Sequence, residues 1–101
     1  MSVVNLKGRK PQVIHDNEIY IGRAMFMGGW RLPKSKWANP FKLSDYDNNR
    51  DLVLSKYEEY VRGSHLIDEL GELVGHDLAC WCRPEPCHGD VLLGLLAERH
   101  N

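Results

Sequence analysis

Apolar residues change their spacing several times along this chain, and each change predicts an element. Ser2 to Leu6, SVVNL, is short and β-rich, and the KGRKP after it reads as a turn. Glu18 to Gly22, EIYIG, alternates and ends at glycine, which predicts a second strand. Helical spacing begins after DYDNN. Asp47 or Asn48 serves as the cap there, and Leu54, Tyr57 and Val61 recur before Gly63. Ser64 caps a second helix through Leu66, Ile67, Leu70, Leu73 and Val74, with Gly75 as its stop. DLACWC, residues 77–82, is a short apolar run bounded by turn signals and reads as a buried strand. His88 to Arg99 forms a third helix, apolar on most faces and so packed into the core.

Between the second strand and the first helix, residues 23–47 have no sustained period. They carry Phe26, Trp30, Trp37 and Phe41, too aromatic a set for a disordered linker. A loop of this length in a small domain is functional or partly helical. The order β, β, loop, α, α, β, α predicts one α/β domain over residues 1–101. Its expected form is a small single-layer sheet of about three to four strands with three helices and a Rossmann-like strand-to-helix corner. Ligands in open α/β sheets sit at the carboxyl ends of strands, which directs attention to the junction between strand 77–82 and the last helix.

Composition narrows the class. At 101 residues, 43% hydrophobic and 27% charged, the chain buries enough surface to fold without disulfides or metal. No apolar run approaches the ~18 residues of a membrane span, and the N-terminus shows no signal-peptide core. Three cysteines, an odd number, argue against a secreted disulfide framework. The expected setting is an intracellular, reducing one, cytoplasmic or nuclear or within a virion, with no membrane partner. Net charge is −1, but residues 1–42 carry eight Lys/Arg against two Asp/Glu, whereas residues 43–101 carry five against twelve. That asymmetry points to an anionic ligand for one half, unless the charges pair across the fold.

All three cysteines fall in ACWCRPEPCHGD, residues 79–90. Cys80, Cys82, Cys87 and His88 supply four potential zinc ligands. Cys80 and Cys82 lie on one strand face without a knuckle turn, however, and adjacent Cys87 and His88 converge poorly on one tetrahedron. The alternative is a ligand-facing helix start. Cys87 precedes the helix, where backbone N–H groups attract anions and stabilise a thiolate, and Arg83 and His88 push the same way. Gly89 lets the backbone approach a phosphate or carboxylate closely. If chemistry occurs, Cys87 is the nucleophile and His88 or Asp90 the acid/base. Against this stands a purely structural role, with Cys87 buried and His88 or Asp90 capping the helix.

The stretches VVNL (Val3 to Leu6), YIGR (Tyr20 to Arg23), SKWANPF (Ser35 to Phe41) and LACWCRPEPCHGDVLLGL (Leu78 to Leu95) resemble, in the same order, domain-of-unknown-function family 4326. Its members are small proteins of bacteria, phages and large DNA viruses, and the resemblance implies no particular reaction. Ala38 stands where that pattern has glycine, so no positive φ is required there. The stretch AMFMGGWRLP between Arg23 and Ser35 is longer than the pattern leads one to expect.

Three functional readings follow. In the first, the Gly22-Arg23, Ser35–Phe41 and Cys87–Asp90 segments form a composite pocket for a phosphate-bearing ligand, nucleotide or nucleic acid. Arg23 and Lys36 would hold phosphate, Trp37 would stack on a base or sugar, and Asn39 would read a polar edge. Asn5, Arg83 and Gly89 complete the candidate ligand set. The second is a non-catalytic, viral interaction protein that uses the 24–32 insertion for association with itself or a host protein. The third is a zinc-stabilised module.

Overall fold

A computed structural model describes residues 2–81 and 87–99. Cys82 and Arg83, expected as a zinc ligand and an anion contact, lie outside the described residues. Strands β1 (Val3–Asn5), β2 (Glu18–Tyr20) and β3 (Asp77–Cys80) form a three-stranded parallel sheet in the order β1-β3-β2. The last strand in the chain is therefore the central one. It pairs Leu78, Ala79 and Cys80 with Val3, Val4 and Asn5 on one side, and Asp77, Leu78 and Ala79 with Glu18, Ile19 and Tyr20 on the other. One further bond on each side, from Leu6 N–H to the Cys80 carbonyl and from Ile21 N–H to the Ala79 carbonyl, carries the pairing past the strand ends. The fold is α/β, as the order of elements predicts.

A central parallel strand is covered on both faces, which explains why DLAC reads as an apolar run rather than an alternating one. Leu78 and Cys80 share a cluster with Val3 of β1, with Ile21 just past β2, and with the helices. Ala79 belongs to a second cluster with Leu6, Trp30 and Leu32, against which Val4, Tyr20 and Trp81 also pack.

The helical side is built from α1 (Arg50–Arg62), a 3-10 helix over His65–Leu73, and α2 (His88–Arg99). Asn49, rather than Asp47 or Asn48, caps α1 by accepting the Leu52 N–H at 3.1 Å. Asp47 and Asn48 instead take left-handed φ angles of 53° and 58°, which short polar side chains tolerate, and reverse the chain after a 3-10 turn at Leu43–Tyr46. Val53, Tyr57 and Val61, spaced by four, form the buried stripe of α1. The second expected helix winds as 3-10, with Ser64 Oγ accepting from Leu66 N–H. Three residues per turn set Ile67, Leu70 and Leu73 in one row, with Leu66 beside them, on the core. Each fully buried leucine of this cluster contributes about 2 kcal/mol of apolar burial. Among the described residues, no helix is long and apolar enough to cross a membrane.

The aperiodic stretch after β2 resolves into a hairpin and a packed loop. Met25 and Leu32 exchange backbone hydrogen bonds of 2.8 and 2.9 Å, and Gly28 and Gly29 turn the tip at φ 63° and 88°. Trp30 folds back onto the sheet and meets Trp81 edge to face, with ring centroids 5.3 Å apart. Phe26 and Met27 stand out at the tip, 67% and 73% exposed. The insertion thus both covers the second sheet face and presents an apolar point to solvent.

Candidate functional site

Beyond the carboxyl ends of β2 and β3 lies a cleft of about 610 Å³, walled by the start of α1 and by residues 39–44, with Cys80, Cys87 and His88 at its floor. Its position follows from the parallel sheet, whose strand ends diverge into loops on this side. The volume falls within the range of small-molecule sites.

The floor is organised by the first turn of α2. Cys87 immediately precedes the helix, and its Sγ accepts the Gly89 N–H at 3.4 Å. Asp90, in the third helical position, accepts the Cys87 N–H on Oδ2 at 3.0 Å. Together these bonds form a capping box in which a thiol stands where serine or threonine is usual. Asp90 is therefore engaged in shaping the helix start, and it does not line the cleft.

His88 is 7% exposed and has both ring nitrogens engaged. Nε2 lies 2.7 Å from the carbonyl oxygen of Ile21. A carbonyl only accepts, so Nε2 carries the proton, and in the neutral ring Nδ1 is left as the acceptor. Nδ1 is 3.5 Å from Cys87 Sγ. Tyr57 fixes the ring from the side, with centroids 5.0 Å apart and planes at 75°, while its hydroxyl donates to the Trp37 carbonyl at 2.7 Å. Burial pushes the Tyr57 phenol well above its ordinary pKa, so it stays a donor. Cys80 Sγ completes the floor, 3.0 Å from Cys87 Sγ.

Gly89 is needed for packing. A Cβ there would lie 2.7 Å from Val3 Cγ2 and 3.0 Å from Ile21 Cδ1, so the close approach is of the helix start to the sheet. Gly22 is a second such position: the Tyr20 ring and hydroxyl fill the space where its Cβ would be. That hydroxyl donates to the Arg23 carbonyl and accepts the Trp81 Nε1–H at 2.8 Å, which ties the end of β2 to the end of β3.

The other candidate residues separate. Arg23 lines the cleft and holds its wall, donating from Nε and Nη2 to the carbonyls of Asn39 and Phe41 at 3.2–3.3 Å. Asn39 also lines it, with Oδ1 accepting the Phe41 N–H across Pro40 at 2.9 Å. Lys36 and Trp37 point elsewhere. Lys36 Nζ lies 2.8 Å from carboxylate oxygens of both Glu69 and Glu72. Trp37 is 1% exposed, packs in the core, and donates Nε1–H to Glu72 at 2.8 Å. With no exposed ring face it cannot stack on a base, and Lys36 is neutralised by carboxylates from the acidic half of the chain. Asn5 ends the strand on the far edge of the sheet, accepts the Lys7 N–H at 2.9 Å, and does not line the cleft.

Sequence reasoning missed Arg50, Lys42 and Tyr57. Lys42 and Arg50 line the cleft beside Arg23, and among its described lining residues there is no carboxylate. Dividing the charge count between residues 42 and 43 placed Arg50 in the acidic half, although it begins α1 on the wall that Lys42 shares. Tyr57 was legible only as one buried position of a helix stripe.

Among the described residues, no group of three or more His, Cys, Asp or Glu is placed to hold a metal ion. Two thiolates on one tetrahedral zinc stand about 3.8 Å apart, whereas the Cys80 and Cys87 sulfurs are 3.0 Å apart.

An uncharacterised protein of Acanthamoeba polyphaga mimivirus is 37% identical over 109 aligned positions, covering 98% of this chain and 83% of the relative. No solved structure matches the chain. The strand ends and the start of α2 lie within a match over residues 4–98, and the chain belongs to the family described as Domain of unknown function (DUF4326).

Proposed function

We propose that the chain binds a small phosphate-bearing ligand, of mononucleotide size, in the cleft at the ends of β2 and β3. The observation that carries this reading is the charge of the walls: Arg23, Lys42 and Arg50 face a concave space of about 610 Å³ with no carboxylate among its described lining residues. Such a surface attracts anions, and its concavity favours a compact ligand over an extended polymer. Phe41, half-buried in the wall, supplies the aromatic face that Trp37 cannot. The odd cysteine count and the two buried thiols at the floor fit a reducing, intracellular setting.

Titration calorimetry at low salt with nucleoside mono-, di- and triphosphates and a short oligonucleotide tests the reading. Binding of one class, weakened roughly tenfold or more by Lys42→Ala and by Arg50→Ala, is the expected result. Arg23→Ala is a poorer probe because it also releases the 39–41 loop. Absence of binding across the panel removes the proposal, and preference for the oligonucleotide redirects it to nucleic acid.

A further inference from the structure

We propose that Cys80 and Cys87 are a reactive dithiol that a small hydroperoxide oxidises to an intramolecular disulfide, with Cys87 as the attacking thiol and His88 as its base. The inference goes beyond ligand binding and needs no ligand in the cleft. Three features support it together. The two sulfurs are in contact at 3.0 Å, one at the end of the central strand and the other at the helix cap, so the bond closes two elements already packed together. The His88 Nε2 bond to Ile21 leaves Nδ1 as the acceptor 3.5 Å from Cys87 Sγ. Negative charge on that sulfur is stabilised by the Gly89 N–H and by the positive end of α2. Cys80 ends the central strand, in contact with Cys87 Sγ, and serves as the second thiol.

Burial selects the oxidant. Both cysteines are 1% exposed and reach the outside through the cleft they line, which admits a peroxide but not a protein disulfide. In the first step the Cys87 S–H proton passes to His88 Nδ1 and the thiolate attacks one peroxide oxygen. The O–O bond breaks, and the leaving oxygen takes the proton from His88 as water or an alcohol, leaving Cys87 as the sulfenic acid. Cys80 then attacks the Cys87 sulfur. The S–O bond breaks, the S–S bond forms, and hydroxide leaves with the Cys80 proton as water. Each peroxide is reduced by two electrons, one from each sulfur, and an external dithiol returns the pair to its reduced form.

The full chain, reduced and treated with about one equivalent of hydrogen peroxide, is trapped with maleimide and read by intact mass and peptide mapping. The expected product is a Cys80–Cys87 bond with a mass loss of about 2 Da, reversed by dithiothreitol. Cys82→Ser should retain this product. Cys80→Ser should instead stop at an oxidised Cys87, and His88→Gln should slow Cys87 oxidation roughly tenfold or more. A bond to Cys82 in the unmodified chain, or a Cys82→Ser protein whose two thiols both survive peroxide, overturns the proposal. The Cys82→Ser result does not depend on whether the other variants fold. The oxidation is run without nucleotide, so its failure is separate from failure of the calorimetric panel.

Discussion

The imidazole of His88 bridges α2 to the end of β2, with Nε2 2.7 Å from the carbonyl oxygen of Ile21. This bond aligns the ring, sets its tautomer and satisfies a carbonyl just past the strand end. His88→Ala removes it, leaves that carbonyl without its donor, and opens a void beside Tyr57. The expected cost is about 2–3 kcal/mol, seen as a lower urea midpoint with unchanged m-value. His88→Gln keeps a donor at similar reach and should recover part of the loss. Equal midpoints for the Ala and Gln variants would show that the bond adds nothing beyond packing.

Gly89 is tested by steric relief. Gly89→Ala sets a Cβ 2.7 Å from Val3 Cγ2, a β-branched side chain with little freedom to move, and 3.0 Å from Ile21 Cδ1. Overpacking of this kind costs about 1–3 kcal/mol. Combining it with Val3→Ala should give a double variant more stable than the sum of the single losses. Strict additivity in thermal or chemical denaturation would count against the contact.

How much of this was legible in the sequence depends on the range of the interactions involved. Strands β1, β2 and β3, helix α1 and helix α2 follow from local apolar spacing, and the strand-to-helix corner at Cys87 follows from their order. Local spacing cannot state that β3 inserts between β1 and β2, because parallel pairing joins residues some sixty to seventy-five positions apart. The same limit governs the site. Arg23, Asn39, Cys87 and His88 line one cleft, since each sits at a strand end, loop or helix start on one side of the sheet. Lys36 and Trp37 do not, although they share the SKWANPF stretch with Asn39. Two residues of the 3-10 helix, Glu69 and Glu72, capture Lys36, and Glu72 also takes the Trp37 indole. Side-chain direction within a short motif was decided by partners more than thirty residues away.

The hairpin after β2 separates stability from exposure. Trp30, 7% exposed against the sheet and Trp81, should cost about 3 kcal/mol or more on Trp30→Ala. Phe26→Ser with Met27→Ser changes only exposed side chains and should leave the thermal midpoint within the shift of about 0.5 kcal/mol. Association carried by this insertion would then be lost in the double variant while the fold persists, as read by sedimentation. Removing residues 24–30 as a block would confuse the two effects because it takes Trp30 with it.

Arg9 and Glu18 make a two-pronged ion pair of 2.6 and 2.7 Å at the start of β2, on a Glu18 side chain only 4% exposed. The Arg9 guanidinium, aided by the His15 N–H, lowers the Glu18 pKa from its ordinary 4.5 to about 2, against the opposing effect of burial. A depressed acid contributes stability that is complete above the unfolded-state pKa and is lost as pH falls through the folded one. The contribution should therefore be full above about pH 5 and fade between 4.5 and about 2. Allowing for solvent screening, it amounts to about 2 kcal/mol. Urea midpoints taken from pH 7 down to pH 2 should show the unmodified chain losing its advantage over Glu18→Gln across that interval. Parallel curves for the two proteins would mean that Glu18 titrates normally and that the pair adds no pH-dependent stability.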